Sequence, residues 1–191
     1  MSETDRLEAF SDGVMAVIIT LMAFNVKPPD AATYTALRAD LPELLVYVLS
    51  FVIIGTYWNN HHHLLRATDR MNGAVMWSNL HLLFWLSILP IATGWVGHFP
   101  DSAIPAAAYG VLGLASALAY WLLVRTIITA NGKDSRVARG IRRDVKGKVS
   151  LVLYALGVGL AFLSPYAAYV AYVVVGIMWF VPDRRLASLS V

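Results

Sequence analysis

Asp12 is the residue of this chain that most demands a chemical reason. The stretch Arg6-Leu-Glu-Ala-Phe10-Ser11-Asp12-Gly13 runs without a break into Val14-Met-Ala-Val-Ile-Ile-Thr20-Leu-Met-Ala-Phe24, so an ionisable carboxylate enters an apolar run. At about 1.5 Å per residue, positions 7–25 are just long enough to cross a bilayer core, and leaving Asp12 outside would make the span too short. An aspartate at the centre of a lipid-facing helix costs about 2.5–3.5 kcal/mol, and less near an end. Asp12 must therefore face protein or water.

A second set of polar groups lies further on. Trp58-Asn59-Asn60-His61-His62-His63 is followed by Arg66, Asp69 and Arg70, then by Asn72, Trp77, Asn79 and His81. A carboxylate among an arginine, imidazoles and an amide can be ionised and fully bonded, which would clamp helices together. Histidine titrates near neutrality, so the same groups could form a proton path; a satisfied structural network is the preferred reading. Three consecutive histidines invite a metal, but helical neighbours point about 100° apart and cannot all grip one ion. No metal site is expected. Gly-x-Ser-x-Gly, Walker and dinucleotide fingerprints are absent, and no serine has an identifiable base, so an enzyme is not expected either.

These residues must be held by membrane-spanning helices. The chain is 58% hydrophobic and 14% charged, with a mean hydropathy of +0.61, beyond what a soluble core of 191 residues can hide. Apolar runs bounded by charge, Pro or Gly predict an all-α integral membrane protein. It forms a single domain over 1–191 with six spans, at about 7–26, 42–65, 73–97, 104–129, 149–164 and 166–182. The last two are short and share a tight Ser164-Pro165 turn. No internal repeat is visible.

Charge orients the spans. Arg125, Lys133, Arg136, Arg139, Arg142, Arg143, Lys146 and Lys148 crowd one connection, and Arg66, Arg70, Arg184 and Arg185 fall on the same side; only Lys27 and Arg38 lie opposite. The positive-inside rule then puts both termini in the cytoplasm. The 133–148 loop is the main source of positive charge in a chain of net charge +3. It lacks the interleaved aromatics of a nucleic-acid binder, and its expected work is fixing topology and touching anionic membrane lipid. Asp5, Glu8 and Asp12 stand where a signal peptide would have a basic leader. The absence of cysteine excludes disulfides and thiolate chemistry.

On a helical wheel Gly13, Val17, Thr20 and Phe24 fall within one narrow stripe, flanked by Ala16 and Leu21, with Asp12 about a quarter-turn away. Spacing alone favours ordinary helix packing over a conduction surface, because small and branched residues are what membrane interfaces use.

The N-terminal motif Arg6-x-x-x-Phe10-Ser11-Asp12-Gly13 resembles the signature of the transmembrane protein 175 family, potassium channels of endosomes and lysosomes with single-repeat relatives in prokaryotes. Thr20-Leu21 lies at the family's spacing. Trp58-x-x-His61-His62 resembles its second-helix pattern, and Trp77-x-Asn79-Leu80 followed by Leu89-Pro90 its third. The resemblance implies a homotetramer whose four first helices line a central pore, passing potassium in preference to other monovalent cations, with no cofactor beyond the permeant ion. It also implies a pore without a Thr-Val-Gly-Tyr-Gly filter, a motif absent here. The family's constriction carries over onto Val17, Leu21 and Phe24, with a selectivity-linked hydroxyl at Thr20. Val17 is smaller than the isoleucine or leucine expected there, which shifts the tightest ring toward Leu21 or Phe24.

With the resemblance, the stripe reads as a pore lining rather than packing. A narrow apolar ring dewets and cannot replace an ion's water, so it acts as a gate. Arg6, Phe10, Ser11, Asp12, His62 and Asn79 are then the supporting polar network. The single repeat implies placement in a prokaryotic plasma membrane. The alternative is a proton-coupled secondary transporter using Asp12 and His61–His63, although neither paired repeats nor broken helices are clear. An intramembrane enzyme ranks third.

Overall fold

The computed structural model describes residues 3–140 and 145–180. Among these the chain forms eight helices and no strand: α1 Glu3–Asn25, α2 Tyr34–Ala39, α3 Leu41–Arg66, α4 Gly73–His98, α5 Ala103–Asn131, α6 Arg136–Gly140, α7 Val145–Ala161 and α8 Pro165–Phe180. The boundaries follow local chemistry. Asn72 caps α4 by accepting from the Val75 amide at 3.0 Å, and Thr33 caps α2 by accepting from Ala36 at 3.2 Å. Gly132 ends α5 with φ 92°, a left-handed backbone that favours glycine.

Helices α1, α3, α4 and α5 are long and apolar enough to cross a membrane. They match the first four expected spans. The fifth and sixth expected spans correspond to α7 and α8, which within the described residues run for 17 and 16 residues, against the roughly 20 residues of an upright crossing. Their turn is closed by the Ser164 amide, which donates to Leu160 O at 2.8 Å. Positions 181–182 of the sixth expected span lie outside the described residues, as do Arg142, Arg143, Arg184 and Arg185. The short helices α2 and α6 carry no expected span.

Helix α4 is central, with α1 and α3 on one side and α5 on the other, while α7 and α8 pack on α5 and α8 also reaches α3. Three buried tyrosines fill the second half. Tyr172 stands 5.6 Å from Tyr109 and 5.8 Å from Tyr154, ring to ring. Polar bridges tie the helices where no water can satisfy them. Ser50 Oγ lies 2.7 Å from Thr93 Oγ1 and 2.9 Å from Tyr109 Oη, joining α3, α4 and α5, and Ser78 meets Thr126 at 2.7 Å.

One end of the bundle gathers the positive charge. There Asn131, at the end of α5, accepts from the Arg70 amide at 2.7 Å and donates to Arg70 O at 3.0 Å. Arg136 pairs with Asp69 across the same gap.

Candidate functional site: the first helix and its anchor

Helix α1 has two faces. Leu7, Ser11, Met15, Ile18 and Met22 are buried at steps of three and four, the spacing of one helical stripe packed on α3 and α4. The opposite stripe is bare. Val17 is 57% exposed, Leu21 50% and Phe24 80%, and Gly13, Ala16 and Thr20 are exposed with them. Thr20 Oγ1 donates to Ala16 O at 2.8 Å, which turns its lone pairs outward from the helix.

The buried stripe is pinned by a polar relay. Ser11 Oγ donates to Leu7 O at 2.8 Å and accepts from Asn79 Nδ2 at 2.9 Å. Asn79 Oδ1 lies 2.6 Å from His61 Nε2, which donates to it when that nitrogen carries the proton. All three side chains are fully buried. One amide thus joins α1, α3 and α4.

A carboxylate–imidazole contact lies at the mouth of the same helices. His62 Nδ1 is 2.7 Å from Glu8 Oε1, and Arg66 Nε is 3.5 Å from that oxygen. Asp12 sits one turn beyond Glu8, half-buried, with Oδ1 sealed from solvent and without a hydrogen-bond partner among the described residues. Ligand atoms of Glu8, Asp12 and His62 lie within 4.8 Å of one another, a spacing that could hold an ion. The Arg66 guanidinium already faces the Glu8 oxygen from 3.5 Å.

The expected network is therefore divided. Ser11 and Asn79 meet directly; His62 turns to Glu8, and its neighbour His61 takes the place beside Asn79. Arg6 and Phe10 are exposed, beside Met76 and Leu80 of α4. Neither Glu8 nor His61 was placed in the supporting network from sequence, although His61 stood in the Trp58-x-x-His61-His62 pattern and in the proton-coupled alternative. Both left a signal: Glu8 precedes Asp12 by one turn, and His61 continues the buried stripe of Ile54, Leu64 and Leu65 on α3.

The fold and the site define a multi-pass, all-helical membrane protein whose N-terminal helix is locked to its neighbours by one face and left bare along the other. Comparison with known proteins narrows this class. The family model described as "Endosomal/lysosomal potassium channel TMEM175" matches residues 6–90. A potassium channel of Chryseobacterium sp. (strain P1-3) is 44% identical over 183 residues, covering 95% of this chain and 94% of the relative. A potassium channel of Streptomyces collinus is 33% identical over 208 residues, covering 100% of both. The crystal structure of a lysosomal potassium-selective channel TMEM175 homolog from Chamaesiphon minutus superposes with a TM-score of 0.85 at 26% identity, over 96% of this chain and 99% of that one. This chain belongs to the TMEM175 family.

Proposed function

We propose that the protein is a potassium-preferring cation channel of the prokaryotic plasma membrane, with both termini cytoplasmic. Four chains assemble around a shared axis, each contributing α1, and α7 and α8 complete six crossings per chain. The observation that carries this reading is the bare stripe of α1. Val17, Leu21 and Phe24 are half or more exposed on a helix whose other face is anchored by Ser11, Asn79 and His61. Large apolar groups on so firmly held a helix suit a lining that must keep its shape while a gate forms between copies. The names of the bacterial relatives support the ion.

In this assembly Val17, Leu21 and Phe24 form stacked apolar rings that close the pore by dewetting. Thr20 presents outward lone pairs between them, a partial substitute for an ion's hydration shell. Potassium sheds water more readily than sodium, so such weak ligands yield modest discrimination. The protein reconstituted into liposomes with a potassium gradient should release potassium passively when the membrane potential is clamped by an ionophore. Flux that occurs only when a proton gradient is supplied would replace the channel with the proton-coupled transporter.

A further inference from the structure

We propose that the cavity between α3, α5, α7 and α8 at the basic end of the bundle is a binding site for an anionic phospholipid. It encloses about 390 Å³, within the usual size of small-molecule sites. Its chemistry changes from end to end. Arg125, Lys133 and Lys148 stand at the exposed rim, and Ile53, Leu151 and Val175 line the interior. Among the described residues none of the three cations is ion-paired. The Arg125 guanidinium lies 5.0 Å from the centre of the Trp121 ring, which holds it at the rim and leaves its edge available for a phosphate.

A second observation lies deeper. Tyr154 lines the cavity, is only 2% exposed, and its hydroxyl has no hydrogen bond to any other described residue. A phenol this buried normally finds a partner. Two other polar groups of the wall already have partners: Trp179 Nε1 donates to Ser150 Oγ at 2.7 Å, and Ser150 donates to Lys146 O at 2.8 Å. The wall is thus preformed, and the phenol remains for a glycerol or ester oxygen. A free phosphate would satisfy the rim and leave the apolar interior empty. An acyl lipid meets both ends at once, and tryptophan with basic residues is the chemistry of the headgroup level.

The test is lipid retention by the purified full-length protein, read by native mass spectrometry after incubation with dioleoyl phosphatidylglycerol or dioleoyl phosphatidylcholine. Wild type should retain the anionic lipid at least about tenfold more than the zwitterionic one. Arg125→Gln/Lys133→Gln/Lys148→Gln should bring the two level, whereas Lys27→Gln/Arg38→Gln, at the opposite end, should change nothing. Tyr154→Phe should weaken retention about threefold. Equal retention of both lipids by wild type, an unchanged triple variant, an equal loss in the Lys27/Arg38 control, or displacement of the lipid by millimolar inorganic phosphate overturns the proposal. Should the triple variant fail to fold, wild-type fluorescence decides. Dibrominated phosphatidylglycerol should quench more than dibrominated phosphatidylcholine, and Trp121→Phe/Trp179→Phe should abolish the difference. Equal quenching by the two lipids overturns the site. Neither readout depends on ion flux.

Discussion

Asn79 is the side chain on which most depends. Its amide donates to Ser11 and accepts opposite His61, so one residue satisfies two buried groups on two other helices. Asn79→Leu would leave His61 Nε2 unpartnered and strip Ser11 Oγ of the bond it accepts, leaving only its bond to Leu7 O, at a cost of about 1–3 kcal/mol, or less where the membrane-embedded unfolded state finds other partners. The expected outcome is a lowered unfolding temperature in detergent. Ser11→Ala should lose less, because Ser11 already bonds its own helix at Leu7 O. Thr20 is a different case. Its exposure and its bond to Ala16 give it no tertiary partner among the described residues. Thr20→Val should therefore leave stability near wild type and shift the reversal potential toward zero under opposing potassium and sodium. An unchanged reversal potential would remove the hydroxyl from selectivity.

At the scale of elements, α5, α7 and α8 are held by aromatic rings seated on glycine. A Cβ on Gly113 would lie 2.3 Å from Tyr154 Cε1, and one on Gly157 would lie 2.3 Å from Tyr172 Cε1. Neither ring can yield easily, since Tyr154 and Tyr172 are both buried and the two stack on one another. Gly113→Ala or Gly157→Ala should destabilise by about 1–3 kcal/mol through overpacking. Gly159→Ala is the control, because nothing lies within 4 Å of its added carbon. Helix α1 makes the opposite prediction. Leu21→Asn on the bare stripe should preserve the fold and raise resting leak by wetting the ring, whereas Met22→Asn, one position on and 1% exposed, should fail to fold.

At the scale of the whole molecule, orientation and assembly each make a measurable prediction. The cysteine-free chain suits a labelling test. Asp134→Cys should react with an impermeant maleimide only from the cytoplasm, and Ala31→Cys only from outside; the reverse pattern would invert the topology. Both positions are exposed and lie outside the long helices. Assembly should appear as a mass four times that of one chain, after correction for detergent. A monodisperse monomer that still conducts would dismiss the shared axis.

Much of this architecture was legible in the linear chain because the bilayer restricts the solutions. A long apolar run with few charges reads as a helix, since a helix satisfies its own backbone in lipid, and the four long apolar helices therefore lie within a few residues of the stretches expected from sequence. The Arg6 to Gly13 motif and its spacing to Thr20 were enough to recognise the family. Partner choice within the polar cluster was not legible. Adjacent histidines point about 100° apart, so whether His61 or His62 meets Asn79 depends on the rotation of α3 against α4, which side-chain packing sets. Glu8 beside His62, two tyrosines on glycine, and an apolar cavity rimmed by cations arise where distant segments converge. Sequence by itself determined which stretches enter the membrane, because that follows from local hydropathy. Only the tertiary structure decided which groups touch, because contact depends on how rigid helices rotate and seat against one another.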